Sequence, residues 1–198
     1  MIVNIIVAYC KNNGIGFNNT MPWKIKSDLK KFRRLSTGNG NNAIIMGKNT
    51  YNSLNCDGLP NRDNLILSTT MEIDKLIKTN ITKSFNNIEK LEDFVKLKNY
   101  DEVWIIGGEK IYNLFLHRDK DNNNDNRNKN NDNRNKNNKN NNIFKIDNIY
   151  VTYVDKEFEC DTFFPVINSQ FKFISQELHT VGSDLYDFDV FDKIFTRI

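Results

Sequence analysis

The sequence predicts an α/β fold: a single domain with a mostly parallel central sheet, an antiparallel C-terminal edge and flanking helices. Three observations predict it. Continuous apolar runs of strand length, such as Ile2–Ala8, imply strands buried on both faces. Helix-patterned segments alternate with such runs as far as Leu116. Strand-like segments alone follow, which places antiparallel strands at the end of the chain.

Taken in order, Ile2–Ala8 is the first strand. Ser27 is a candidate N-cap for a helix whose Leu29, Phe32 and Leu35 form one apolar stripe. Ala43–Met46 and Leu65–Leu67 are short buried strands. Leu91, Phe94, Val95 and Lys98 mark an amphipathic helix, and Glu102–Ile106 a strand ending in Gly107-Gly108. Ile111, Leu114 and Phe115 continue as a helix. Ile149–Val154, Phe171–Glu177 and Tyr186–Phe195 are the late strands, the last two alternating, with no helix between them. No internal repeat is visible.

A chain of 198 residues fits one domain, here 1–198. Its hydrophobic content of 38% lies below the usual ~45–50%, and part of the deficit is local. Asp119–Asn142 is almost wholly Asn, Asp, Lys and Arg, with no apolar anchor to offset its ordering entropy. It therefore reads as a disordered insertion in a loop. Its six basic residues (Lys120, Arg127, Lys129, Arg134, Lys136, Lys139) face four acidic ones (Asp119, Asp121, Asp125, Asp132). Without them the net charge falls from +3 to +1, with 22 basic against 21 acidic residues, so no general polyanion-binding surface follows. The mixed signs and lack of aromatic residues give no sign of a nucleic-acid partner.

Cys10, Cys56 and Cys160 are odd in number and lack C-x-x-C spacing, which argues against a disulfide framework or a structural zinc site, and no metal is expected. The N-terminus lacks a basic region ahead of its short apolar run, and no run approaches the ~18 residues of a membrane span. The expectation is a soluble, cytoplasmic protein of a reducing compartment.

Asp28 and Phe32 stand one turn apart, so a carboxylate sits at the rim of an apolar helix face. Alone, a cap or dipole role is the plainer reading. Gly14-Ile15-Gly16 and Met21-Pro22-Trp23 punctuate the loop before that helix; the glycines permit a mobile crossing, and Pro22 and Trp23 fix its far end. Gly107-Gly108 falls where strand meets helix, a place where backbone N–H groups receive a phosphate, although G-x-G-x-x-G is absent. Lys48 and Ser68-Thr69 lie at comparable strand ends, outside which ligands of open α/β sheets bind.

In this order the pieces resemble the dihydrofolate reductase family. They are Gly14-Ile15-Gly16, Met21-Pro22-Trp23, Asp28-Leu29 with Phe32, Ile45 to Thr50, Leu59 to Arg62, Asn64 to Ser68, Ile105 to Tyr112, Tyr150-Val151-Thr152, Asp161 to Pro165 and Tyr186 to Phe191. The resemblance covers essentially the whole chain except Asp119–Asn142.

The resemblance implies hydride transfer from NADPH to C6 of dihydrofolate, with a proton delivered to N5. Asp28 resembles the acid that holds the pteridine, and Trp23 and Thr152 the residues that arrange water and hydrogen bonds around it. Ile6, Val7, Leu29, Phe32, Leu54 and Ile106 would form the apolar folate pocket. Arg62 resembles the arginine that forks onto the glutamate tail. On the cofactor side, Ala8 and the loop from Ile15 and Gly16 to Met21 would flank the nicotinamide. Lys48, Thr69 and Lys110 would meet the 2′-phosphate. Asn49, Thr50, Gly107, Gly108, Glu109, Lys110, Ile111 and Tyr112 would hold the pyrophosphate, and Gly47, Ser68 and Ile106 complete the cofactor set. The family also implies a cis Gly107–Gly108 peptide.

Three departures stand out. Glu109 occupies a position often small in the family, and its plainer reading is a first-turn acid pointing to solvent. Asn49 and Lys110 sit where some members carry His and Arg, and Lys lacks the planar fork. The insertion lengthens a link far from the ligands. A monomer is expected, and functional pairing with a thymidylate synthase stays open. Asp28, Met21-Pro22-Trp23 and Arg62 argue against the riboflavin-pathway reductase that shares the fold. Retention of the acid, the Trp and the Thr argues against a silent folate-fold module tethered to RNA.

Overall fold

The computed structural model describes residues 1–54, 57–77, 79–124, 142–178 and 188–198. Cys56, residues 125–141 of the low-complexity stretch, and Tyr186-Asp187 lie outside the described residues. The elements run β1 (Ile2–Cys10), β2 (Gly14–Gly16), α1 (Lys26–Thr37), β3 (Asn42–Gly47), α2 (Lys48–Ser53), β4 (Asp63–Leu67), β5 (Asp74–Ile77), β6 (Asn80–Phe85), α3 (Ile88–Lys98), β7 (Glu102–Gly107), α4 (Glu109–Asn124), β8 (Asn148–Val154), β9 (Thr162–Phe163), β10 (Phe171–Leu178) and β11 (Val190–Arg197).

Among the described residues, one sheet has the order β10-β11-β8-β1-β7-β3-β4-β6-β5. Its centre is parallel from β8 through β1, β7, β3 and β4 to β6. β11 and β10 form the expected antiparallel edge. β5 adds an antiparallel strand at the opposite edge, which the sequence reading missed because its four residues are all exposed and carry no burial pattern.

Strand periodicity divides the core. Val3, Ile5, Val7 and Tyr9 of β1 pack with Leu91 and Val95 of α3 and Ile111, Tyr112 and Phe115 of α4. Ile6 faces the other way, toward Phe32 and Leu35 of α1, Tyr51 of α2 and Leu54 just after that helix. Each sheet face thus carries two helices, as buried parallel strands require.

Two local expectations are corrected here. Ser27 does not cap α1: the helix starts at Lys26, and Ile25 holds the N-cap position in extended conformation with no side-chain cap bond. Burial fixes that entry, since Ile25 is 3% exposed beside Trp23. At the other boundary, α4 continues to Asn124, past the expected start of the insertion at Asp119. α3 follows its sequence signals closely, with Asn87 accepting the Lys90 N–H at 2.9 Å as N-cap. No described helix is long and apolar enough to cross a membrane.

Candidate active site

The carboxyl ends of β1, β3, β4 and β7 lie side by side and deliver the chemistry-bearing loops, as in other open α/β sheets. β1 leads into the Asn13–Trp23 loop, β3 ends at Gly47 before α2, β4 ends before Ser68, and β7 ends at Gly107 before α4.

Asp28 sits in the first turn of α1, half-buried. The Thr152 hydroxyl donates to its Oδ1 at 2.6 Å, from a residue 2% exposed in the middle of β8. In the sheet register Thr152 stands opposite Ala8 of β1 and Asp192 of β11. Lys31, one turn after Asp28, donates to Thr152 Oγ1 at 3.2 Å and to Asp192 Oδ1 at 2.5 Å. Sequence reasoning found Asp28 and Thr152 but missed Lys31 and Asp192. The i, i+3 spacing of Asp28 and Lys31 was the available signal.

Trp23 is 6% exposed, and its indole N–H has no hydrogen-bond partner among the described residues. Ile6, Phe32, Leu54 and Ile106 share one apolar cluster. Leu29 lies on the rim, 45% exposed. Val7 does not join them: strand alternation turns it to the opposite sheet face, beside Tyr112.

Arg62 is 2% exposed. Its Nε donates to Pro60 O at 3.1 Å, its Nη1 donates to Ser36 Oγ, and its guanidinium lies 5.6 Å from the Phe32 ring centroid. Burial and then Arg33 push its pKa down to about 10, so it remains a cation at neutral pH. Two named partners leave part of its five-donor fork for another acceptor.

Gly107 and Gly108 are joined by a cis peptide, and Gly107 has φ +102°. A Cβ at Gly107 would fall 2.6 Å from the Tyr112 ring, so only glycine lets α4 fold back on the strand end. Ile111 and Tyr112 N–H groups close on Gly108 O, at 2.9 and 3.0 Å. The Tyr112 hydroxyl donates to Ile6 O at 2.9 Å. Burial, and then the charge of Asp28, push the Tyr112 phenol up, so it stays a neutral donor. Gly47 lies against Ile111, with Asn49, Thr50 and Lys48 following in α2. Lys48 Nζ donates to Thr70 Oγ1 at 3.1 Å, and Thr69 and Lys110 are exposed beside Ser68 and the start of α4.

Glu109 does not point freely to solvent, as its plainer reading had it. Its Oε2 accepts the Phe163 backbone N–H at 3.2 Å. Phe163 belongs to β9, which pairs antiparallel with β2, the strand containing Ile15 and Gly16. Asp161 fastens the same loop, accepting the Asn18 N–H at 2.9 Å and donating its own N–H to Gly16 O at 3.0 Å. Between Phe17 and Thr20, Asn18 and Asn19 both have positive φ, the hallmark of a two-residue type I′ turn. The loop is pinned at these points, and Met21 beyond it is 48% exposed.

Cys10 and Cys160 are free thiols with sulfurs 3.9 Å apart. No group of three His, Cys, Asp or Glu side chains is placed to hold a metal among the described residues. A hollow of about 470 Å³ lies between β6 and α3, lined by Phe85, Phe94, Lys83 and Lys90. It is on a strand four places from β1 and belongs to none of the groups above.

Fold and site together define an α/β protein with a half-buried carboxylate on one wall and a glycine-paired helix start on the other. The dihydrofolate reductase family profile matches residues 2–122. The dihydrofolate reductase of Drosophila melanogaster is 30% identical over 181 residues, covering 88% of this chain and 85% of that protein. The bifunctional dihydrofolate reductase-thymidylate synthase of Paramecium tetraurelia is 34% identical over 122 residues, covering 59% of this chain and 23% of its own length. A solved dihydrofolate reductase from Enterococcus faecalis, complexed with NADP(H) and an added ligand, shares the fold with TM-score 0.71 at 20% identity, over 99% of this chain and 96% of that one. The chain belongs to the dihydrofolate reductase family.

Proposed function

We propose that the chain reduces 7,8-dihydrofolate to 5,6,7,8-tetrahydrofolate with NADPH, supporting one-carbon metabolism and the synthesis of thymidylate, purines and glycine. The observation that carries this reading is the 2.6 Å bond from Thr152 to Asp28 at the edge of the apolar cluster of Ile6, Phe32, Leu54 and Ile106.

The donor set fits the cofactor. Gly107, Gly108 and the N–H groups opening α4 suit a pyrophosphate, together with Asn49 and Thr50. The half-buried Lys48 and the exposed Thr69 and Lys110 suit a 2′-phosphate. Ala8, Ile15, Gly16 and Met21 are assigned to the nicotinamide. NADPH supplies the hydride when bound.

The chain's own groups do the rest. The Asp28 carboxylate offers two acceptor oxygens to the amidine-like edge of the pteridine and favours a proton on N5. Trp23 offers its unpartnered indole N–H to a water or ring oxygen at the same edge. The apolar side chains exclude water, which strengthens the carboxylate's field at the reacting ring. Arg62 is assigned to the α-carboxylate of the glutamate tail.

We further propose that this activity resides in one domain interrupted at about 119–142 by the low-complexity insertion, whose first residues extend α4. The reading includes a cytoplasmic monomer and leaves functional pairing with a thymidylate synthase open. Mixing the purified protein with dihydrofolate and NADPH and following the loss of NADPH absorbance tests the central claim. Turnover with NADPH well above that with NADH supports it; no turnover of dihydrofolate overturns it.

A further inference from the structure

We infer that Lys31 and Asp192 are a positioning pair for the Asp28 carboxylate, acting through the Thr152 hydroxyl. The inference rests on the reductase reading above, in which Asp28 promotes protonation of the substrate.

Two independent features of the fold bring the four groups together. On α1, Lys31 follows Asp28 by three residues and shares its face. In the sheet, Thr152 and Asp192 are directly paired across β8 and β11, so their side chains rise on one face. The chain of contacts is continuous: Asp192 Oδ1 to Lys31 Nζ at 2.5 Å, Lys31 Nζ to Thr152 Oγ1 at 3.2 Å, Thr152 Oγ1 to Asp28 Oδ1 at 2.6 Å. The Lys31 side chain is only 15% exposed and that of Asp192 30%, so solvent screens the pair weakly.

Donor chemistry sets the direction. An ammonium has three donors and no acceptor, so Thr152 Oγ1 must accept from Lys31. Its single proton is then committed to Asp28. A hydroxyl held in that orientation favours the ionised carboxylate, and so does the cation behind it. Asp192 opposes this by neutralising Lys31. The two members of the pair therefore push the Asp28 carboxyl in opposite directions, and their balance sets its affinity for a proton.

Other charged groups face this network from each neighbouring element. Lys30 and Arg34 of α1 and Glu177 of β10 line, with Lys31 and Asp192, a cleft of about 360 Å³ behind the helix. Tyr112 approaches from α4 as a neutral phenol. Lys193, next after Asp192, turns to the opposite sheet face and lies 3.5 Å from the Tyr153 ring centroid. Of these, only Lys31 touches the hydroxyl that touches Asp28.

The test is a ¹³C NMR titration of the Asp28 side-chain carboxyl in ligand-free protein, paired with the pH profile of dihydrofolate turnover. Lys31→Met should raise the Asp28 titration midpoint by about half to one pH unit, and Asp192→Asn should lower it by a similar amount. Lys31→Arg, which keeps the charge, should restore the wild-type midpoint. Melting temperatures identify any variant that fails to fold, and Asp192→Asn alone still reads the sign. Midpoints unmoved in folded Lys31→Met and Asp192→Asn, or both moved the same way, overturn the inference. Wild-type protein that titrates as expected but turns over no dihydrofolate overturns the reductase reading and leaves the pair standing.

Discussion

Glu109 Oε2 accepts the Phe163 backbone N–H at 3.2 Å, and this one bond joins the first turn of α4 to the strand on which the Gly14–Gly16 loop is seated. The carboxylate therefore links the proposed pyrophosphate end of the site to the proposed nicotinamide loop. It also places a negative charge beside a position assigned to an anion.

These two effects separate in a pair of variants. Glu109→Gln keeps an oxygen acceptor and removes the charge; a nearby charge at a helix start is worth about 0.3–1 kcal/mol, so NADPH should bind about two- to fivefold tighter. Glu109→Ala removes both, and amide hydrogen exchange at Phe163 and Gly16 should quicken. Fluorescence titration with NADPH and exchange measured by NMR make the comparison. Slower exchange in the Ala variant would show that Glu109 does not hold the loop.

Asp28→Asn preserves shape and the Thr152 contact but removes the charge proposed to favour a proton on the substrate. General acid–base roles contribute about 10²–10⁴-fold, so turnover near pH 7 should fall by that factor. Lower pH should recover part of it, because more substrate then arrives protonated. Steady-state kinetics between pH 5 and 8 decide the matter, and near-wild-type turnover at pH 7 would remove Asp28 from the mechanism.

What the sequence made legible was local. The apolar run of β1, the stripe of α1 and the Gly-Gly junction after β7 each announce themselves through spacing within a few residues. Asp28 and Thr152 were legible only through resemblance, since their contact joins positions 124 residues apart. Lys31 was marked only by its i, i+3 spacing from Asp28, and Asp192 by nothing local, because its role depends on the β8–β11 register. Glu109 was misread for a similar reason: its partner is a backbone N–H 54 residues away, and no side-chain pattern marks it. Val7 was misassigned by treating a strand as a set of residues instead of two alternating faces.

Cys160 should be a sluggish nucleophile. Burial and then Cys10 push its thiol up to about 11, so the folded protein favours the neutral form. At pH 8 roughly one molecule in a thousand carries the thiolate, the form that reacts. Alkylation by iodoacetamide, followed at the Cys160 peptide by mass spectrometry, should therefore be slow at pH 8 and rise about tenfold per pH unit toward 10. A rate that levels off below pH 9 would place the thiol in an ordinary environment.

Arg62 allows binding and folding roles to be told apart. It is buried, its Nε bonds Pro60 O, its Nη1 bonds Ser36 Oγ, and its fork is assigned to the α-carboxylate of the substrate's glutamate tail. Arg62→Lys keeps the charge but loses the planar fork, which a lysine cannot reproduce. Charge-assisted hydrogen bonds contribute about 1.5–3 kcal/mol, so the KM for dihydrofolate should rise at least about tenfold. A dihydropterin lacking the glutamate has no carboxylate for this fork, and its KM should stay within about twofold of wild type. Stability should also fall, by about 1–3 kcal/mol, because the fully buried Ser36 Oγ loses its guanidinium partner. Denaturant unfolding reads the stability term, and kinetics with both substrates reads the binding term. Equal loss with both substrates would mean that Arg62 only braces α1 through Ser36 and never meets the tail.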